Sequence, residues 1–216
     1  MLLNGIIMTV IGFVSGSVMY SYLLPKLIFH IDVRDGTEDG NPGSSNAIQA
    51  VGLPFGLLCM LLDIFKAFLP VWFAVNILYI NSWMLVPVAA APVLGHAFSP
   101  ILGFQGGKAV SASFGALFGL WPVSKVAFLL VLTMAIFKFV IIINPDSHKV
   151  MVAMITACLL ALFFEPMPAA TISLTAICII VSIKIWMKPN KGKWSVHVWH
   201  FALTRDEGRH FHLGRS

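Results

Sequence analysis

Three stretches of this 216-residue chain hold residue types and spacings able to do chemistry. The first is the polar run 32–46, Asp-Val-Arg-Asp-Gly-Thr-Glu-Asp-Gly-Asn-Pro-Gly-Ser-Ser-Asn. Gly36, Gly40 and Gly43 allow left-handed backbone and close approach to a ligand. Ser44, Ser45 and Asn46 stand where they can cap the next helix. A helix N-terminus with unpaired N–H groups is an anion site. An ordinary polar turn with a helix cap accounts for the same residues. Asp35-x-Thr37-x-Asp39-Gly40 has the look of a calcium loop, but the bidentate Glu required at the twelfth position is Asn46 here, so no metal is expected. The second stretch runs from Gly95 to Lys108. Gly106 and Gly107 offer two consecutive N–H groups beside the Lys108 ammonium, which suits a phosphate. It is not a nucleotide P-loop, which needs Gly where this chain has Leu102 and Ser/Thr where it has Ala109. His96 is a candidate acid, base or hydrogen-bond donor, with a structural histidine as the alternative. The third is Asp63-x-x-Lys66, whose spacing puts both side chains on one helix face. That pair reads as a structural ion pair or as a proton relay.

The elements that must position these residues are membrane helices. Hydrophobic residues make up 58% of the chain, charged residues 11%, and mean hydropathy is +0.89. A soluble domain carries roughly 25% charged residues. Soluble, nucleic-acid-binding and disordered classes are thereby excluded, and an all-α integral membrane protein is expected. The net charge of +5 is unevenly placed. Residues 1–183 hold seven basic and seven acidic residues; residues 184–216 hold seven basic and two acidic ones. Residues 1–187 therefore read as one polytopic domain and 188–216 as a basic cytoplasmic tail. The tail reads as an amphipathic surface segment attracted to anionic lipid, and its His197, His200, His210 and His212 lack metal spacing. Cys59, Cys158 and Cys178 sit in apolar runs and read as small hydrophobes. The start of the chain reads as a first span, not a cleavable signal.

Hydropathy predicts about seven spans. They cover Leu3–Leu24, Ala47–Ile77, Ser82–His96, the run from Lys108 to Trp121, Val123–Ile143, Val150–Phe164 and Pro168–Met187. The loops then sort into one side with twelve Lys/Arg and another with Lys125 alone. The positive-inside rule makes the first side cytoplasmic and the N-terminus external. All the chemistry-bearing loops fall on that cytoplasmic side.

In order and spacing these stretches resemble the bacterial acyl-phosphate:glycerol-3-phosphate acyltransferases, the PlsY family. The residues that carry the resemblance are Gly16-Ser17-x-x-x-Ser21-Tyr22-x-x-x-Lys26, Asp32-Val-Arg34 and Gly40-Asn41-x-Gly43-x-x-Asn46. Leu62-Asp63-x-x-Lys66, Gly95-His96-x-Phe98-Ser99 and Phe104-x-Gly106-Gly107-Lys108 complete it. The resemblance implies a seven-helix fold in the bacterial inner membrane. It implies acyl transfer from acyl phosphate to glycerol 3-phosphate, giving lysophosphatidic acid and phosphate, without metal or other cofactor. His96, Lys108 and Asn46 become the expected catalytic residues. Arg34, Gly40, Asn41, Gly43, Ser45, Gly106 and Gly107 become the expected phosphate-binding set, with Asp63 and Lys66 in support. The chain departs from the family pattern at several positions. Its first loop is one residue longer. Asp39 stands where Ser is usual, Gln49 where Arg is usual, and Gln105 where Lys is usual. An Arg-Tyr-x-Ser segment is replaced by Lys138-Phe139-Val140-Ile141, and the usual tail signature is not recognisable. These departures keep open a non-catalytic lipid- or anion-binding protein on the same fold. The intramembrane Asp63 and Lys66 keep open a small transporter.

Overall fold

The first apolar run folds as two helices, α1 (Leu2–Ser17) and α2 (Tyr20–Ile28), separated by extended backbone at Val18. Residues 1–37, 39–188 and 192–198 of this computed structural model are described in full, and 201–205 and 211–215 by backbone alone. Next come α3 (Ser44–Val51) and α4 (Leu53–Asn76). The single expected span Ala47–Ile77 is corrected here, because Gly52 has φ +84° and interrupts it. That backbone suits a residue without Cβ. Helix α5 (Leu85–Ala97) leads to a 3₁₀ turn at Pro100–Leu102, then α6 (Val110–Phe118) and α7 (Val126–Phe139). Strand β1 (Ile141–Asn144) separates α7 from α8 (Asp146–Phe164), and α9 (Pro168–Met187) follows.

Among the described residues, five helical segments are long and apolar enough to cross a membrane: Leu2–Ile28, Leu53–Asn76, Leu85–Leu102, Asp146–Phe164 and Pro168–Met187. The fourth and fifth expected spans are shorter. Nine residues of α6 rise about 14 Å and fourteen of α7 about 21 Å, against about 30 Å of hydrocarbon.

The purely α expectation is corrected by an antiparallel sheet in the order β1-β2-β3-β4, whose last three strands are β2 (Ser195–Val198), β3 (Phe201–Arg205) and β4 (Phe211–Arg215). The register pairs Ile142 with His197 and Asn144 with Ser195. Asn144 Nδ2 donates to Ser195 Oγ at 3.2 Å. Alternating apolar and polar residues in Ser195–Val198 suit a strand better than the expected amphipathic segment. Of the tail histidines, His200 and His210 lie outside the described residues, as does Glu38 of the first loop.

Small residues bring the helices close. A Cβ on Gly16 of α1 would strike the Pro92 carbonyl of α5, and one on Gly95 of α5 would strike the Phe13 carbonyl of α1. Gly115 of α6 makes the same close approach to Ile64 of α4. Around these contacts Val71, Leu85, Val88, Leu117, Leu130, Met154, Leu174 and Ile177 form one buried core. The outer faces stay apolar: Phe163 and Trp186 are each 82% exposed.

Candidate active site

Asp63 organises the break between α1 and α2. Its Oδ1 accepts from the Tyr20 N–H at 3.1 Å, and its Oδ2 from the Ser21 N–H at 3.2 Å and the Ser21 hydroxyl at 2.5 Å. These amides open α2 and have no partner within the helix. Lys66 Nζ lies 2.7 Å from Asp63 Oδ1 and also donates to the Val18 carbonyl. Ser99 donates to the Ser17 carbonyl at 2.6 Å. The Asp63–Lys66 pair is thus a buried tie that holds α4 to the broken α1–α2 segment. His96 lies beside it, with Nδ1 4.0 Å from Asp63 Oδ1. Among the described residues, His96 Nδ1 is the one buried side-chain polar atom without a hydrogen-bond partner.

The Gly106–Gly107 segment folds back on His96. The Gly107 N–H donates to the His96 carbonyl at 3.1 Å, so this amide is not turned to a ligand. A Cβ on Gly107 would come within 2.7 Å of His96 Nε2, and one on Gly106 would overlap the His96 carbonyl. The glycines let the chain pass this close and deliver Lys108 to the cavity.

That cavity, about 660 Å³, lies between the first loop, α3, the start of α6 and the α7–α8 junction. Of the residues expected from sequence, Asn41, Gly43, Ser45, Asn46, His96 and Lys108 line it. Gly43, not Ser44 or Ser45, is the N-cap of α3, and no side chain caps that helix. The Ser44, Ser45 and Asn46 amides are therefore its first-turn N–H groups. Asn46 instead secures the loop, its Nδ2 donating to the Asn41 carbonyl at 2.7 Å and to Asp39 Oδ1 at 3.2 Å. Ser44 Oγ lies 3.2 Å from Ser111 Oγ, joining α3 to α6.

Arg34, Gly40, Gly106, Gly107, Asp63 and Lys66 do not line the cavity. Arg34 is held on Asp32 by bonds of 2.6 and 2.9 Å and lies over the Tyr22 ring. These bonds hold the Asp32 carboxyl far below its ordinary value of 3.8.

Asp39, Lys138, Ser147 and Lys149, absent from the expected set, join the lining. Lys138 comes from the last turn of α7 and Ser147 and Lys149 from the first turn of α8, elements far from the loops in sequence. The sequence signal was the basic residues flanking 138–149. Lys108 Nζ donates to Asp39 Oδ2 at 2.7 Å and to Ser147 Oγ at 3.2 Å, and Lys149 pairs with Asp146 at 2.5 Å. Burial pushes the Asp39 carboxyl up, but Lys108, Asn46 and the Asn41 N–H outweigh it and hold it below its ordinary value. Of the positions that depart from the family pattern, Gln49 lines the cavity and Gln105 does not.

The family model described as glycerol-3-phosphate acyltransferase matches residues 6–191, most of the chain. The chain belongs to the glycerol-3-phosphate acyltransferase family. The resemblance read from the loop motifs is therefore confirmed. Glycerol-3-phosphate acyltransferase 1 of Thermotoga maritima is 44% identical over 117 residues, 53% of this chain and 56% of that relative. The glycerol-3-phosphate acyltransferase of Thermotoga petrophila is 36% identical over 158 residues, 72% of this chain and 76% of the relative. The aligned stretches thus span from just over half to about three quarters of these relatives. Among solved structures, the glycerol 3-phosphate form of PlsY (YgiH), an integral membrane glycerol 3-phosphate acyltransferase, superposes with TM-score 0.74 at 27% identity. It covers 85% of this chain and 88% of that one. With its apolar helices and this neighbour, the family member described here is an integral membrane protein.

Proposed function

We propose that this protein transfers a fatty acyl group from acyl phosphate to glycerol 3-phosphate, giving lysophosphatidic acid and phosphate, without a cofactor. The observation that carries this reading, beyond family membership, is the cavity itself. It combines an uncapped helix N-terminus with Lys108, Lys138 and Lys149, of which Lys108 and Lys149 are paired with the lining carboxylates Asp39 and Asp146, a lining suited to two phosphate-bearing reactants. In this reading Asn41, Gly43, Ser45 and Asn46 hold one phosphate group. Lys108, with Lys138 and Lys149 beside it, holds the other and offsets charge on the departing phosphate. Gly106 and Gly107 aim Lys108, Arg34 and Gly40 shape the first loop, and His96 positions a reacting group. The acceptor hydroxyl oxygen bonds to the acyl carbonyl carbon, the bond from that carbon to the phosphate oxygen breaks, and the hydroxyl proton leaves with phosphate. Fixing both reactants in line contributes on the order of 7–11 kcal/mol in favourable cases.

In the same reading the chain crosses the bacterial inner membrane seven times, with its N-terminus outside. Residues 188–216 are a cytoplasmic appendage, and the acyl chain lies between apolar helices. The positive-inside asymmetry supports this orientation. Packing of α6 in the core supports its use as a short crossing, since protein neighbours and local thinning accommodate short spans.

Purified protein in lipid, given acyl phosphate and glycerol 3-phosphate, should release lysophosphatidic acid. Absence of product in lipid of several compositions overturns the catalytic reading. Lys108→Ala should lower kcat by about 10²–10³-fold, the effect of removing one charge-stabilising donor. Lys125→Ala, at the opposite end, should leave kcat unchanged.

A further inference from the structure

The Asp39 carboxylate lines the cavity, as does Asp146, which is paired with Lys149; Asp39 is the more buried of the two, and its two oxygens do different work. Oδ1 accepts from the Asn41 N–H at 3.1 Å and Asn46 Nδ2 at 3.2 Å, which fixes the loop. Oδ2 takes the Lys108 ammonium at 2.7 Å. The pair is well shielded, with side chains 11% and 14% exposed for Asp39 and Lys108. A neutral acceptor at Oδ1 would keep the two bonds within the loop. The negative charge at Oδ2 ties the loop to Lys108 and occupies the ammonium that a phosphate would use.

We propose that Asp39 is a resident anion that sets the affinity of this cavity for phosphomonoesters and inorganic phosphate, by competing with them for Lys108. This rests on the acyl-transfer reading only in supposing that phosphate enters the cavity. A dianion arriving at Lys108 meets a carboxylate already within 2.7 Å of that ammonium. Repulsion at such distances is strong where water is largely excluded. The cavity therefore binds phosphate more weakly than its lysines alone would, and product phosphate leaves it more readily. Asp39 thus lowers the cavity's affinity for phosphate groups in general and limits inhibition by phosphate.

Thermal-shift titration of the full-length protein in micelles, with inorganic phosphate, glycerol 3-phosphate and uncharged glycerol as probes, tests this. Asp39→Asn keeps the Oδ1 acceptor and removes the charge. It should bind both phosphate probes about tenfold tighter, with the gain shrinking at 1 M salt and glycerol unaffected. Asp39→Ser should behave alike, and Asp39→Glu should stay near the parent. Phosphate should also inhibit Asp39→Asn at lower concentration in the transfer assay. Tightening for inorganic phosphate as well as glycerol 3-phosphate assigns the effect to the phosphate group; tightening confined to glycerol 3-phosphate overturns competition at a general phosphate site. An Asp39→Asn protein that melts like the parent yet binds phosphate no tighter overturns the proposal. So does weaker binding accompanied by a lowered Tm, which makes Asp39 structural. Tighter phosphate binding in a protein that shows no acyl transfer would sink the catalytic reading and leave this one intact.

Discussion

Single side chains here divide into those that hold the fold and those that face the cavity. Asp63 belongs to the first group. Its carboxylate is fully buried, takes the opening amides of α2 and pairs with Lys66. Asp63→Ala leaves an uncompensated ammonium and two orphan amides. It should destabilise the protein by about 3–5 kcal/mol, read as a lower Tm in detergent. Asp63→Leu with Lys66→Met should recover only the part of that loss due to the lone ammonium, since no charge then stays buried alone but the two α2 amides remain unpaired. A proton relay through Asp63 predicts instead that Asp63→Asn abolishes function while Tm is kept. Asp32 gives the pH dependence. Arg34 lowers its carboxyl in the folded state, so the pair's contribution is fully present above about pH 4 and fades as pH falls through the folded value. Tm of the parent minus that of Asp32→Asn should be constant from pH 5 to 8 and shrink only below pH 4. A difference that grows on acidification contradicts the Arg34 tie.

At the scale of elements, the close crossing of α1 and α5 depends on Gly16 and Gly95, where any Cβ would overlap a carbonyl of the facing helix. Gly16→Ala and Gly95→Ala should each lower stability by roughly 1–3 kcal/mol, the usual range for overpacking. Gly36→Ala, with no heavy atom near its Cβ, should show only the smaller strain of its φ of +72°. Which elements were legible in sequence follows from their physics. Pro168–Met187 was read to the residue, because proline opens an uninterrupted apolar run. The break at Gly52 was hidden, since a glycine between apolar residues does not change hydropathy. The split of the first span was hidden too, because its cause is Asp63, more than forty residues away. Strand β1 was read as the end of a span, because Ile141–Ile143 is as apolar as the helix before it. Pairing with Ser195–Val198, which local sequence does not display, makes it a strand.

Across the whole molecule, apolar side chains face outward as well as inward, as on Phe163 and Trp186, so the bundle needs lipid around it. The cavity was half legible. Asn41, Gly43, Ser45, Asn46, His96 and Lys108 stand in polar loops that interrupt apolar runs, and that contrast made them visible. Lys138, Ser147 and Lys149 reach the cavity only because α7 and α8 turn back at β1, a consequence of tertiary packing. Ending the chain after residue 190 should leave the helical bundle melting close to the parent. It should still reduce transfer by more than about tenfold, because β1 loses its sheet partner and a lone strand is not stable. Unchanged transfer would show that the sheet is dispensable. The pairing of β1 with β2 also imposes a timetable on the nascent chain. Ile141–Asn144 emerges about fifty residues before Ser195–Val198, its partner, is made. The five long helices found among the described residues have been synthesised by then, so they can be lodged in the bilayer while β1, at the turn between α7 and α8, still awaits its partner. The newborn protein is thus a membrane resident first, and its α7–α8 turn is braced by the sheet only after α9 has been made.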